Sequence, residues 1–259
     1  LNGTFLVKVY FGFCVFYFCS LAGLSLSLLS AERVRRLSLG VPVVDDVFPG
    51  FEVGDFAVLY GDGVSWMGFV LCVRCVLPLK KGGLGGSVVF VDGGNSFNPY
   101  VVADVGRSYG LDSRKVLERI YVSRAFTAYQ LSALVLEKFE SFLNRKRSKL
   151  VFVSDIASLF FDRDIPKVEA RDLFMKVCGK LSEVAAKKRA IVLATYYPYR
   201  RSRRGLFYEA VLYGRSNVLA KFERKGKTLR FVLVNHPRIK PFSMDFPTDE
   251  VSLTNYMEV

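Results

Sequence analysis

The chain has 259 residues, 51% of them hydrophobic, with 23 Phe and 13 Tyr; this is enough apolar material for a sizeable α/β domain and excludes a disordered chain. Lys and Arg number 37 against 24 acids, a formal charge of +13 that favours a polyanionic partner, either nucleic acid or an anionic membrane surface. A single histidine excludes a histidine-rich metal site, and five cysteines without regular spacing exclude a disulfide framework.

Residues 9–31 carry no charge, and Arg33, Arg35 and Arg36 follow them. The length suits a membrane span, and residues 20–23 (SLAG) also pass for a signal-peptidase site. A third reading is a translation begun upstream of the native start, since the chain opens on Leu. All three stay open for a leader over residues 1–30. The chain is otherwise expected in the cytoplasm, with a membrane as partner only through residues 9–31.

From Val34 onward, strand-like and helix-like segments alternate. Residues 55–60 (DFAVLY) read as a short apolar strand, 66–77 as a helix and 82–86 as a glycine-rich turn. Cys72 and Cys75 fall in a run broken only by Arg74, so they read as helix core; no second pair completes a zinc site. Residues 88–92 (VVFVD) form a buried strand, 99–109 and 113–119 have helical spacing, and 120–122 is a short strand. Leu131, Leu134, Val135, Phe139 and Phe142 mark a longer helix over 127–145. Strands at 150–153 and 190–195 bracket a helix over 168–187. Residues 217–223 and 228–235 flank RKGK, the turn of an antiparallel hairpin, and His236 follows as a turn residue. Alternation of this kind predicts a mostly parallel sheet with helices on both faces.

Several separated segments then point to one family: 39–42 (LGVP), Asp45 and Asp46, 50–54 (GFEVG), 59–61 (LYG), 77–86 (LPLKKGGLGG), 96–99 (SFNP), 109–112 (YGLD), 116–121 (VLERIY), 124–126 (RAF) and 235–237 (NHP). In this order they resemble the archaeal RadA recombinase family, over about residues 37–254. The resemblance implies a RecA-like P-loop ATPase core, α/β, over 31–259, with a mostly parallel sheet flanked by helices and a C-terminal antiparallel hairpin.

Membership implies a fold and not an activity, so the active-site positions are taken singly. A phosphate loop needs G-x-x-x-x-G-K-[ST]. Counted forward from Gly61, Met67 stands at the lysine and Gly68 at the hydroxyl; counted back from Leu77, Val64 replaces the lysine, Ser65 keeps the hydroxyl and the loop is three residues short. No lysine occurs between Lys8 and Lys80 in either register. The glycine-rich run at 82–86 is no substitute, because it precedes a strand. Gly94 stands where the family has its catalytic glutamate, two residues after Asp92. Ser154 stands at the Walker B aspartate, with Asp155 one place late. Thr195, Tyr196 and Tyr197 replace the polar sensor. The resemblance therefore implies a degenerate nucleotide site at Gly61, Gly63, Ser65, Asp92 and Asp155, with no catalytic residue, no metal ligand set, and the family's ATP and Mg²⁺ lost.

Two loops of the family contact single-stranded DNA. The first corresponds to residues 161–171, with mixed charges. The second corresponds to 196–208, where Arg200, Arg201, Arg203 and Arg204 can follow phosphates while Tyr197 or Tyr199 offers a stacking face. The expectation is a non-catalytic recombinase paralogue, an accessory in homologous recombination and DNA repair. Its expected partners are single-stranded DNA, an active RadA-type recombinase or another paralogue. A membrane-associated RecA-fold protein and a residual ATP binder with atypical ligands are the alternatives.

Overall fold

Strands built as continuous Val, Ile, Leu and Phe runs are stable only where helices cover both faces of the sheet. The computed structural model, which describes residues 35–247 apart from 147, 189 and 199–201, has this arrangement. The leader over residues 1–30, with its three readings, lies outside the described residues. Among the described residues no helix is long and apolar enough to cross a membrane.

Two short strands, β1 (Arg36–Leu37) and β2 (Phe51–Glu52), pair antiparallel, with helix α1 (Pro42–Asp45) between them in the chain. The main sheet has eight strands. Six are parallel: β3 (Phe56–Gly61), β4 (Val88–Asp92), β5 (Ile120–Arg124), β6 (Leu150–Ser154), β7 (Ile191–Tyr196) and β8 (Val218–Lys225). Their spatial order is β8-β3-β7-β6-β4-β5. Strands β9 (Thr228–Asn235) and β10 (Phe242–Pro247) add antiparallel beyond β8. The expected hairpin is therefore present, with Gly226 in its turn at φ 58°, and β10 extends it by a strand absent from the sequence reading.

One face of the sheet is covered by α2 (Val64–Val76), α3 (Pro99–Ser108) and α4 (Ser113–Leu117). The other face takes α5 (Ala128–Ala133), a π-helical turn (Leu134–Lys138), α6 (Phe139–Lys146), α7 (Lys167–Lys188) and α8 (Arg203–Arg215). The single helix expected over 127–145 is thus interrupted by the π turn, and α8 is absent from the sequence reading altogether.

Helix α2 is buried all round, as an evenly apolar helix must be. Its Arg74 reaches the surface region by donating from Nε to the Ser38 carbonyl at 2.8 Å and lying 5.7 Å from the Tyr109 ring centre. Cys72 and Cys75 are core residues, and burial pushes the Cys75 thiol up to about 12 and the Cys72 thiol well up. Neither is a thiolate at neutral pH. His236 serves its turn, its Nδ1 accepting the backbone N–H groups of Arg238 at 3.1 Å and Ile239 at 3.0 Å.

The helix boundary decides the register of the phosphate-loop segment. Trp66, Met67 and Gly68 are inside α2, and a Cβ on Gly68 would lie 2.2 Å from the Phe152 ring of β6. The forward register therefore puts its lysine and hydroxyl positions in the core. Only Asp62 and Gly63 join β3 to α2. Gly61, at φ 101°, lets the strand end approach β8, where a Cβ would meet the Phe222 carbonyl oxygen at 2.0 Å. Gly61→Ala is accordingly expected to destabilise the chain by about 1–3 kcal/mol, from left-handed strain and lost β3–β8 contact. Urea unfolding measures it; an unchanged midpoint would contradict this approach of the two strands.

Candidate functional site

In an open α/β sheet the loops at the carboxyl ends of the parallel strands present ligands. The positions singled out in the sequence lie at the carboxyl ends of β3, β4, β6 and β7. At β3 the two-residue turn is closed on itself. The Asp62 N–H donates to the Phe222 carbonyl at 2.9 Å, and Asp62 Oδ2 accepts the Arg224 N–H at 2.7 Å. Gly63 caps α2 with no side-chain oxygen of its own. The partner comes from the neighbouring strand: the Tyr197 hydroxyl hydrogen-bonds the Ser65 hydroxyl and takes the Ser65 backbone N–H as well. A phenol oxygen thus sits on the donors that the first turn of a helix otherwise offers to an anion. Burial raises the Tyr197 pKa, the Ser65 bonds oppose that rise, and the nearby Asp155 charge adds to it. The phenol is neutral and can both donate and accept. Close by, the Trp66 indole N–H is buried without an acceptor among the described residues.

At the end of β4, Asp92 is fully buried and turned inward. Its Oδ1 accepts from the Ser154 hydroxyl at 2.8 Å and the Ser96 N–H at 2.9 Å. Its Oδ2 accepts from the Phe97 N–H and from Arg124 Nε, both at 3.1 Å. Burial opposes ionisation, but these hydrogen bonds and the Arg124 charge outweigh it and hold the carboxyl below its usual range. The sequence reading missed Arg124 and Ser154 as partners of Asp92, because parallel pairing of β4 with β5 and β6, and not chain proximity, sets them beside it.

At the end of β6, Asp155 takes a left-handed backbone at φ 42° and its N–H donates to Thr195 Oγ1 at 2.8 Å. Its Cβ lies 2.9 Å from where a Cβ on Gly94 would stand. A glutamate at position 94 would collide with Asp155, so the two departures from the family's pattern fit each other. The Ser158 hydroxyl donates to the Gly93 carbonyl at 3.0 Å and stitches the two loops together. Between them and Phe126 lies a shallow cavity of about 440 Å³ whose lining includes Gly94, Asn95, Asp155 and Asp162.

The basic run after β7 is only partly a loop. Tyr196 belongs to β7 and is fully buried. Ser202 caps α8, its Oγ accepting the Gly205 N–H at 3.0 Å, and residues 203–208 are already helix. Ser202 and the i, i+4 apolar pair Tyr208 and Leu212 were the overlooked signals for that helix. Arg203 is exposed in the first turn. Arg204 is half-buried and donates to the carbonyls of Phe161 at 3.5 Å and Asp162 at 3.4 Å, and to the Tyr208 hydroxyl at 3.2 Å. Tyr208, fully buried, donates to the Phe160 carbonyl at 2.9 Å. Arg171 lies 4.9 Å from the Phe207 ring centre. The described parts of the two loops expected to contact DNA are therefore braced together by Arg204 and Tyr208.

Residues 31–191 match the Rad51 family. The chain belongs to that family. Among its relatives is the DNA repair protein RAD51 homolog B of Zea mays, 30% identical over 142 residues, which cover 52% of this chain and 42% of that protein. The DNA repair protein RAD51 homolog of Solanum lycopersicum is 30% identical over 142 residues, covering 52% and 41%. The match thus spans about two-fifths of each relative's length.

Within this Rad51-family chain the structure brings Gly61, Gly63 and Ser65 to one strand end and sets Asp155 near Tyr197, but it engages Asp92 elsewhere. Two residues read as nucleic-acid contacts have partners within the chain. Tyr197 is not a free stacking face, because strand pairing of β7 with β3 delivers its hydroxyl to Ser65. Arg204 is a brace between loops, because the first turn of α8 aims it at the Phe161 and Asp162 carbonyls. Tyr199, Arg200 and Arg201 lie outside the described residues. Asp92→Asn is expected to cost about 1–3 kcal/mol at pH 7, since an amide meets four donors there. The folded-state pKa lies below the unfolded aspartate's, about 3.9, so the difference is whole above that value. It shrinks as pH falls through the folded one. Urea midpoints of parent and variant across pH 7 to 3 measure this; a gap that stays constant contradicts the assignment.

Proposed function

We propose that this chain is a non-catalytic Rad51-family paralogue, of the archaeal RadA type, that acts as an accessory in recombination and DNA repair. It engages single-stranded DNA, an active recombinase, or both, and it neither needs nor turns over ATP. The observation that carries the reading is the Tyr197 hydroxyl on Ser65 at the start of α2. Phosphoryl transfer rests almost entirely on positioning and charge stabilisation. At this strand end the segment lacks the lysine, the connection is too short to wrap a triphosphate, and the first-turn donors hold a phenol. The residues present do not fit a Mg²⁺–nucleotide complex, and no catalytic step is drawn through one.

The nucleic-acid half of the reading is supported by the start of α8. Arg203 and Arg204 occupy a first turn, where the helix dipole disfavours cations, and Arg200 and Arg201 stand just before it. With Arg204 engaged by the Phe161 and Asp162 carbonyls, the charges of Arg200, Arg201 and Arg203 suit a phosphate backbone. A second reading, a nucleotide held on atypical ligands, is favoured by one observation, the buried Trp66 N–H without an acceptor among the described residues.

The full chain is expected to release no phosphate from ATP above a no-enzyme control, with or without DNA; DNA-stimulated turnover that co-elutes with it would sink the reading. For the nucleic-acid half, replacing Arg200, Arg201 and Arg203 by Ala should lower the salt slope of single-strand binding by up to about 2, at about 0.7 per phosphate. Fluorescence anisotropy over a salt series checks this, and an unchanged slope with unchanged affinity would reduce the loop to a basic surface.

A further inference from the structure

We propose that the groove between the outer faces of α7 and α8 is a docking site for a partner protein, which lays an acidic, amphipathic helix into it. Its walls are Val168, Arg171 and Met175 of α7 and Leu206, Phe207 and Ala210 of α8.

The composition of α8 leaves one face uncovered. Between Arg204 and Arg215 the helix carries a single charged residue, Glu209, which accepts from the Tyr196 hydroxyl at 3.3 Å. So apolar a helix is expected to be buried all round. Only Gly205, Tyr208 and Leu212 are buried, a stripe at i, i+3 and i+7. Leu206 is 57% exposed, and Ala210 and Gly214 continue its stripe at i+4 and i+8, also exposed.

Helix α7 supplies the facing wall. Its Val168 is 80% exposed and Met175, two turns on, 42%. The two helices are locked together below by Phe174 and Tyr208, both fully buried, with ring centres 4.5 Å apart. Above that pair, Arg171 lies over the Phe207 ring at 4.9 Å, on the same face of α7 as Val168 and Met175. The exposed apolar residues of two adjoining helices therefore share one surface. Contiguous exposed apolar surface of this kind marks an interaction site.

Arg171 identifies the charge of the partner. Its Nε is buried with no acceptor among the described residues. The carboxylates beside it in the chain are engaged elsewhere: Glu169 accepts from the Tyr129 hydroxyl, and Asp172 pairs with Lys176 at 2.7 Å. A guanidinium held against a ring and partly withdrawn from water calls for a counter-charge that also accepts its hydrogen bonds. Lys167 and Arg203 stand exposed at the amino ends of the same two helices. The complementary ligand is anionic at that end and apolar along its length.

Backbone bonding selects the shape of that ligand. The walls are helices, whose backbone groups are bonded within themselves, so an extended peptide would bury its own N–H and C=O groups there without partners. A helix brings its backbone already satisfied and reads a groove through side chains at i, i+3 or i+4, and i+7. A nucleic acid fits poorly: phosphates need an array of cations and bases a free ring, whereas Arg171 covers Phe207. A second copy of this chain would bring a net charge of the same sign, +13. The groove stands on its own observations and does not depend on the single-strand reading above.

The test selects peptides from a phage-displayed helical library on the full chain, then titrates the recovered sequences by fluorescence anisotropy against the parent, Arg171→Gln and Leu206→Asp. Recovered peptides are expected to carry Asp or Glu beside apolar residues at helical spacing, and each substitution should weaken them about tenfold or more. Peptides that are basic, or that bind both variants as tightly as the parent, overturn the proposal. So does recovery of no peptide; if Leu206→Asp then abolishes adsorption to phosphatidylserine vesicles or self-association of the parent chain, the face belongs to a membrane or to a second copy. A second readout needs no ligand. Arg171→Met keeps a contact with the Phe207 ring and removes the charge, so the urea midpoint is expected to stay or rise. A lowered midpoint would reveal a partner for Arg171 within the chain and overturn the proposal. Single-strand affinity is no part of either readout, so this inference and the proposed function fail separately.

Discussion

The hydrogen bond between the Tyr197 and Ser65 side chains ties the end of β7 to the first turn of α2, and the use of the carboxyl edge depends on it. A buried phenol must find partners, and a helix N-terminus must find acceptors. Each satisfies the other. The geometry follows from the sheet, because β7 pairs with β3 through Tyr60 and Tyr196 and so releases its next residue beside the β3–α2 turn. An anion seated at this helix start would have to displace a neutral group already bonded there and leave the phenol unpartnered.

The other departures from the family's pattern are coupled to the same edge. With Asp155 turned into left-handed backbone and bonded to Thr195, its side chain fills the space beside Gly94. Ser154, at the Walker B place, faces Asp92 and not the α2 turn. A glutamate at 94 would meet Asp155, and a lysine at 64 would stand after a connection of only two residues. The edge is a self-bonded surface joined by Ser158 and Arg204.

Periodicity and turn chemistry made most of the fold legible. The runs at 88–92, 150–153 and 190–195 could only be strands covered on both faces, and α2 could only be a buried helix. The missing lysine was equally plain. Less legible was where side chains point after a strand ends. Tyr196 and Tyr197 are adjacent in sequence, yet one is sealed in the sheet and the other is bonded to α2. The run of arginines read as a loop because charge masked the Ser202 cap and the wide spacing of Tyr208 and Leu212. Arg124 could not be matched with Asp92 from the chain alone, since β5 is brought beside β4 only by tertiary pairing.

The account turns on whether a nucleotide enters at the start of α2. Trp66 is the chain's one tryptophan and lies in that first turn, so its fluorescence reports on the place directly. We expect its emission to stay unchanged as Mg²⁺–ATP is titrated to millimolar concentration, because the Ser65 donors are held by Tyr197. A saturable change in emission, reproduced by a non-hydrolysable analogue, would contradict that and restore nucleotide binding to the chain.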